Sequence, residues 1–505
     1  MSRGARGRWG FHRFKRRHSV GFAVAAGLLI ALPVALAIGA EPVPDRVVVH
    51  LLNRLAFGPT LEEVRHVKTI GVERHIAEQL DPDSIPESIE LRWRLAQLGT
   101  LKLNPVQLRQ LYGPLRSLRG FKPNLELEKA QRERLRIILR DASEARILRA
   151  VLSPRQLQEV MVDFWFNHFN VFSGKGLDDV WIGNYEEQAI RPFVLGRFRD
   201  LLFATTKHPA MLVYLDNALS TAPGSPGSRG RQKGLNENFA REVMELHTLG
   251  ADGGYTQEDV VTLARVFTGW GVNPPDARVF PEHAAVFEGA RHDYSPKVFL
   301  GHQLQSRGKA EGEEALDILA RSPATARHIA FELAQYFVTD EPSPDLIERL
   351  AARFRETDGN IREVLRMLFA SSEFWGSMGA KYKTPYQFVI SAVRTAGLPV
   401  GNVRPLLGAM DQLGMPLFGC LTPDGYKNTE DAWLGPDATT RRISFATALA
   451  RAELKVTGAV QPVDAARLEA IFGSTLSDAT RVAVKESPQG LRAALILGSP
   501  DFMRR

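Results

Sequence analysis

Apolar residues recur along most of the chain at spacings of three and four, the helical period, and strict alternation is confined to short runs. Helix-start signals accompany that pattern. Thr60-Leu61-Glu62-Glu63 has the form of a capping box, and Thr256 with Asp259 repeats it. Ser153-Pro154, Ser322-Pro323, Ser343-Pro344 and Thr384-Pro385 each set a cap residue before a proline at the first helical position. Amphipathic runs over 325–337, 344–356 and 361–369 fit helices. Val47-Val48-Val49 is β-prone alone but leads into a helical pattern. The pattern predicts an all-α fold with long irregular loops, one at 220–234, and a small hairpin or long loop near 270–300. No internal repeat of fixed period is present.

Two stretches break the apolar pattern in the same way. Residues 236–250 read as one helix, capped by Asn236 and stopped by Gly250. Phe239, Val243 and Leu246 share one face, and Asn238, Arg241, Glu242 and Glu245 share the opposite one. The second stretch, 161–172, is apolar nearly all round except for Asp163, Asn167 and Asn170, at i, i+4 and i+7. Buried polar groups need partners, because an unpaired one costs about 1–3 kcal/mol. The expectation is that the two stripes face each other. Asp163, Glu242 and Glu245 against Arg241 would then leave an acidic excess of about two charges, which cannot stay buried unbalanced. A divalent cation on Glu242, Glu245 and Asp163, raised carboxyl pKa values, or further bases such as Arg265 or Lys297 would each balance it. The third remedy, a structural network, is slightly favoured.

Histidine and tryptophan offer further candidates. His247 and His168 lie off the acidic stripes by roughly 140–160° and about 140°, so core roles fit both better than ligand roles. His292-Asp293, with Lys297 close by in an irregular segment, has the make-up of an oriented general base, and His292 is the base of choice; an exposed His beside a turn-forming Asp is the plainer alternative. Trp270, between Gly269 and Gly271, is the tryptophan best placed to be exposed for stacking on a sugar. Trp165 and Trp433 read as core residues. Arg54, Asp216 and Asn217 read as cross-links between helix ends. No H-E-x-x-H or G-x-S-x-G motif occurs, which disfavours zincin and serine-hydrolase chemistry.

Charge changes the picture at the N-terminus. Seven basic residues (Arg3, Arg6, Arg8, Arg13, Lys15, Arg16 and Arg17) precede the first acid, Glu41, and an uncharged run from Val20 to Ala40 follows them. A basic segment, an apolar segment and then Ala35-Leu36-Ala37 or Ile38-Gly39-Ala40 have the layout of an export signal. The run is also long enough, at roughly 20 residues, to remain as a membrane anchor. The whole chain is +7 from 64 basic and 57 acidic residues, so the part beyond the leader carries 57 of each. That balance argues against nucleic acid as a partner. The single cysteine, Cys420, excludes an intramolecular disulfide and reads as a buried, inert thiol. The organisation expected is a leader or anchor over 1–40, a helical core over 45–400, and a C-terminal helical extension over 401–505.

These stretches together resemble the domain-of-unknown-function 1800 family of exported bacterial proteins. The resemblance runs from His50-Leu51-Leu52-Asn53-Arg54-Leu55-Ala56-Phe57-Gly58 through Phe164-Trp165-Phe166-Asn167-His168-Phe169 and His208-Pro209-Ala210-Met211-Leu212. It continues through the 236–250 segment, its most specific element, then Tyr255-Thr256-Gln257-Glu258-Asp259, His292-Asp293 and Lys383-Thr384-Pro385. It covers roughly His50 to Ala450. It implies an exported or envelope-associated, mainly helical protein, and it brings no catalytic residues with it. Two functions stay open. One is a binding or assembly factor whose partner is another exported protein or an envelope glycan, touching the membrane only through its N-terminal segment. The other is a hydrolase of an envelope polymer, metal-assisted or acid–base, using Glu242, Glu245, His292 and Asp293, with Asp163, Asn167, Asn238, Arg241, Trp270 and Lys297 binding. No cofactor is established from the sequence; a divalent metal is the one envisaged. The expected location is periplasmic, cell-envelope or extracellular.

Overall fold

Burial follows the helical period read from the chain. The Pro344–Glu356 helix buries Leu346, Ile347, Leu350, Ala351 and Phe354 and leaves Glu348, Arg349 and Arg355 exposed. It packs along the Pro323–Phe337 helix, as Leu125–Leu152 packs on Asp178–Tyr185 and Pro436–Ala450 on Gln489–Leu497. The computed structural model describes residues 43–113, 125–227, 234–273, 284–305, 307–458 and 461–505. The leader or anchor expected over residues 1–40 lies outside the described residues. Val43–Arg505 forms one compact unit, and among the described residues no helix is long and apolar enough to cross a membrane.

The cap signals mark helix starts with one exception. Thr60, Thr256 and Thr384 form reciprocal capping boxes with Glu63, Asp259 and Gln387, and Ser322 and Ser343 cap the two proline-led helices. Ser153-Pro154 does not begin a helix; the next one is Gln156–His168. Gln156 donates its amide back to the carbonyls of Ala150 and Ser153. It thereby closes the end of the preceding helix, and Pro154 is left in the junction.

The helix expected over 236–250 is shorter, Glu237–Glu245. Asn236 caps it as expected. Beyond Glu245 the His247 amide bonds back five residues to Glu242, and the Thr248 hydroxyl donates to the carbonyls of Val243 and Met244. Those carbonyls are then taken, and the chain turns away before Gly250.

The 270–304 region holds two antiparallel hairpins. Trp270–Val272 pairs with Ala285–Phe287, and Lys297–Phe299 with His302–Leu304. Leu300 and Gly301 at the second turn both have positive φ, 47° and 79°, the backbone that a two-residue hairpin requires.

Candidate functional site

A cleft of about 210 Å³ opens between the Gln156–His168 helix, the Pro323–Phe337 helix and the 415–428 segment. Asp163, His168, His328, Glu332, Asp424 and Lys427 are among its lining residues. The polar stripe of the first helix builds one wall, but against a different neighbour from the one expected. Asn167 clamps Tyr426 like a strand partner, donating to its carbonyl at 2.9 Å and accepting from its amide at 2.8 Å. Asn170 donates to the carbonyls of Cys420 and Thr422 at 3.1 and 2.8 Å. Gly425 makes this approach possible: its φ is +68°, and a Cβ there would lie 2.3 Å from the Asn167 carbonyl oxygen.

Asp163 sits where the cleft meets a buried ion network. It accepts from Arg146 at 2.9 Å and from the Tyr336 hydroxyl at 3.3 Å. Arg146 also holds Glu186 at 2.5 Å, and Arg191 joins Glu186 at 3.1 Å to Glu159 at 2.6 Å. Arg149 adds Glu187 at 2.9 Å. Glu186 and Glu187 open a π-helical turn, Glu186–Ile190, that runs into Arg191-Pro192. The widened turn aims both glutamates at the arginines, an arrangement often found where structure serves function. Burial pushes the Asp163 carboxyl up although Arg146 opposes it. Glu186 feels the same burial penalty, but Arg146 and Arg191 outweigh it and hold the group down. Arg505 completes the charge balance: it lies electrostatically close to Asp163 and donates to the Tyr336 carbonyl at 2.7 Å. Loss of one partner from such a buried network typically costs about 3–5 kcal/mol.

Across the cleft, Glu332 stands apart. Burial raises its pKa, with His328 and Lys427 pulling the other way, and among the described residues no hydrogen bond holds its carboxyl. Asp424 is the opposite case: Lys427 at 2.8 Å and Thr422 keep it below the usual range in spite of partial burial. Three histidines gather behind this wall, with the His168 ring 6.2 Å from His247 and 6.1 Å from His328. His168 faces the His247 carbonyl at 3.3 Å. Burial drives His247 down to about 3, and among the described residues neither of its ring nitrogens has a partner. His168 and His247 are neutral core histidines, as their angular positions imply.

The expected centre of Asp163, Glu242 and Glu245 is not assembled. Asp163 is spoken for by Arg146 and Tyr336, and neither glutamate lines the cleft. Glu245 accepts from the Tyr255 hydroxyl at 3.1 Å. Glu242 is half-buried, with its pKa raised by desolvation and then by Glu245 and Asp424. Arg241 turns outward to Gln257 at 2.9 Å, and Asn238 is exposed. The balancing bases are arginines of other helices, not Arg265 or Lys297.

His292 is likewise placed differently. Its ring is sealed from solvent and meets Glu311 at 3.0 Å and the Thr268 carbonyl at 2.8 Å. Lys297 meets the same Glu311 at 3.0 Å. Asp293 does not orient the imidazole; Arg265 at 2.8 Å and Ser295 take it and hold it down at about 2 against the burial penalty. This buried tie fastens the hairpin segment to the Lys309–Arg321 helix. Trp270 is buried rather than exposed, at 4%, because Gly312 lies against its ring and Lys207 covers it at 5.4 Å. Trp165 is a core residue bonded to the Val194 carbonyl, and Trp433 donates to the Lys427 carbonyl beside the cleft. Cys420 is a buried thiol whose pKa burial raises. Arg54 and Asn217 do cross-link helix ends: Arg54 donates to the carbonyls of Val338 and Ser377, and Asn217 to those of Phe267 and Trp270.

Cleft residues that the pattern did not single out include His328, Glu332 and Tyr336. They sit at i, i+4 and i+8 of the Pro323–Phe337 helix, a polar stripe of the same kind as Asp163–Asn167–Asn170. Asp424 and Lys427 lie in an irregular segment and carried no such signal.

Residues 50–504 match the family described as a protein of unknown function, DUF1800, beyond the Ala450 limit of the resemblance. No curated protein and no solved structure matches the chain.

Proposed function

Because the chain belongs to the DUF1800 family, whose description assigns no activity, we propose from the cleft that it is an exported envelope protein acting as a binding or assembly factor. The cleft seats a hydrogen-bond-donating group of the partner, a glycan hydroxyl or a protein ammonium. The observation that carries this reading is the acidic lining around Glu332: an unbonded carboxyl with only Lys427 and His328 nearby to offset it. Size supports it as well. About 210 Å³ is below the roughly 300–1,000 Å³ of sites that enclose a whole small molecule, and suits one projecting group of a larger partner. The ion network behind Asp163 keeps that wall rigid, so the cleft is preorganised and binding costs little ordering. The leader's layout supports export, and the charge balance beyond it supports a partner other than nucleic acid.

The raised Glu332 pKa favours a second reading, general-acid hydrolysis of an envelope glycan without a metal. One experiment separates the two. The purified protein is titrated separately with a soluble envelope-glycan fragment and with a lysine-rich peptide, and the glycan arm is assayed for cleavage. Binding of either ligand that weakens at least about tenfold in Glu332→Gln, with no cleavage, supports the binding factor. Cleavage that disappears in Glu332→Gln replaces it with the hydrolase. If the unaltered protein binds neither ligand, the cleft reading falls.

A further inference from the structure

We propose that His66, His75 and Glu78 form a binding site for one divalent transition-metal ion, of the Zn²⁺ class, on a face of the protein separate from the cleft. Gly71, with φ +88°, joins the Leu61–Ile70 and Val72–Gln79 helices. The break folds the second helix back beside the first. His75 and Glu78 then lie one turn apart on the second helix, opposite His66 on the first. One donor atom from each of the three lies within 4.8 Å of the others. The His66 Nε2 and Glu78 Oε2 are 3.0 Å apart, and the His66 and His75 rings stand edge to face with centroids at 6.0 Å.

His75 supplies a second, independent observation. It is 4% exposed, and its Nδ1 is buried with no hydrogen-bond partner among the described residues, although a buried polar atom without a partner is costly. Two imidazoles and one carboxylate are the donor set of Zn²⁺ and its late first-row neighbours, not of Mg²⁺ or Ca²⁺, which take oxygen ligands. The His66 side chain is 50% exposed and Glu78 33%, so a fourth position faces water. On binding, the ion takes the place of the hydrogen bond between His66 and Glu78, and Arg74, 3.6 Å from the Glu78 carboxylate, yields to the incoming charge. The ion ties the two helices together and presents an open coordination position outward.

Tag-free full-length protein is titrated with ZnCl₂ by calorimetry, with melting followed in parallel and Co²⁺ as a visible-spectrum probe. The expected result is one ion per chain, a Tm that rises with free Zn²⁺, and a Co²⁺ spectrum with imidazole character. His66→Ala removes a half-exposed ligand, so the metal-free Tm should stay close to that of the unaltered protein. Affinity should fall by about 10–100-fold or more, and the Zn²⁺-dependent Tm rise should vanish. Glu78→Gln is the second variant should His66→Ala fold poorly, and the same loss is expected. Zn²⁺ affinity unchanged in both variants, or no saturable binding by the unaltered protein, overturns the site.

Discussion

Asp178 shows how a single buried group sets a pH dependence for the whole chain. It opens the Asp178–Tyr185 helix, is fully buried, and among the described residues neither carboxyl oxygen has a partner. Burial pushes its pKa up to about 9, with Lys175 only partly opposing, against about 3.9 in an unfolded chain. A raised folded value means that folding takes up a proton. The stability this group contributes is complete below about pH 4 and is lost as pH rises toward 9. Asp178→Asn needs no proton. The variant should match the unaltered protein in Tm near pH 4 and exceed it by several degrees at pH 8–9, corresponding to roughly 5 kcal/mol. Melting curves across that range check it, and parallel pH profiles for the two proteins would rule it out. Asp163, its side chain 12% exposed at the cleft, escapes this penalty in part, because Arg146 and Tyr336 satisfy it. Partner geometry, not burial alone, separates the two aspartates, and a linear sequence does not carry that geometry.

Among elements, helices were legible where local chemistry decides and partners were not. Caps and amphipathic faces are local, so Thr60, Thr256, Ser322, Ser343 and Thr384 could be placed from sequence alone. Which helix a polar stripe faces depends on contacts between distant segments. Asn167 and Asn170 found the 416–428 segment, more than 240 residues on, instead of the Glu237–Glu245 helix. The acid excess expected of Asp163, Glu242 and Glu245 does not arise, because the three are not brought together; Asp163 pairs instead with Arg146, on a helix with no tie to it visible in the sequence. Gly425 is the pivot of the cleft wall. Gly425→Ala adds a Cβ against the Asn167 carbonyl and strains a positive φ, for about 1–3 kcal/mol. The wall should retreat: hydrogen exchange should quicken at Tyr426 and its neighbours while the Gln156–His168 helix stays protected. Gly408→Ala is the control, since a Cβ there meets nothing within 4 Å and lies in the Arg404–Gln412 helix, where alanine is favoured over glycine by about 1 kcal/mol. Equal exchange in the two variants would show that Gly425 does not hold the wall.

For the whole molecule, charge and covalent chemistry bear on where it works. With one cysteine, the chain gains nothing from an oxidising compartment, and its stability rests on the continuous apolar core and the buried ion network. That core draws on residues from Val48 to Met503. The chain's last residues are tied in as well: Arg505 exchanges backbone hydrogen bonds with Lys381, so the helices beyond 401 are anchored to the core by its far end. The net charge, by contrast, resides entirely before Glu41. If the leader directs export, it is either cut or kept, and the two fates differ in a measurable charge. Produced with its leader in a bacterial host, the protein should leave the cytoplasm. Cleavage after Ala37 or Ala40 removes seven positive charges and leaves 57 of each sign, so the isoelectric point falls from strongly basic to near neutral and the new N-terminus is Ile38 or Glu41. Retention as an anchor keeps the basic isoelectric point and confines the protein to the membrane fraction with its interior domain outside the cytoplasm. N-terminal sequencing and isoelectric focusing of the fractions distinguish these, and an intact chain free in the cytoplasm would refute export and with it the envelope partner.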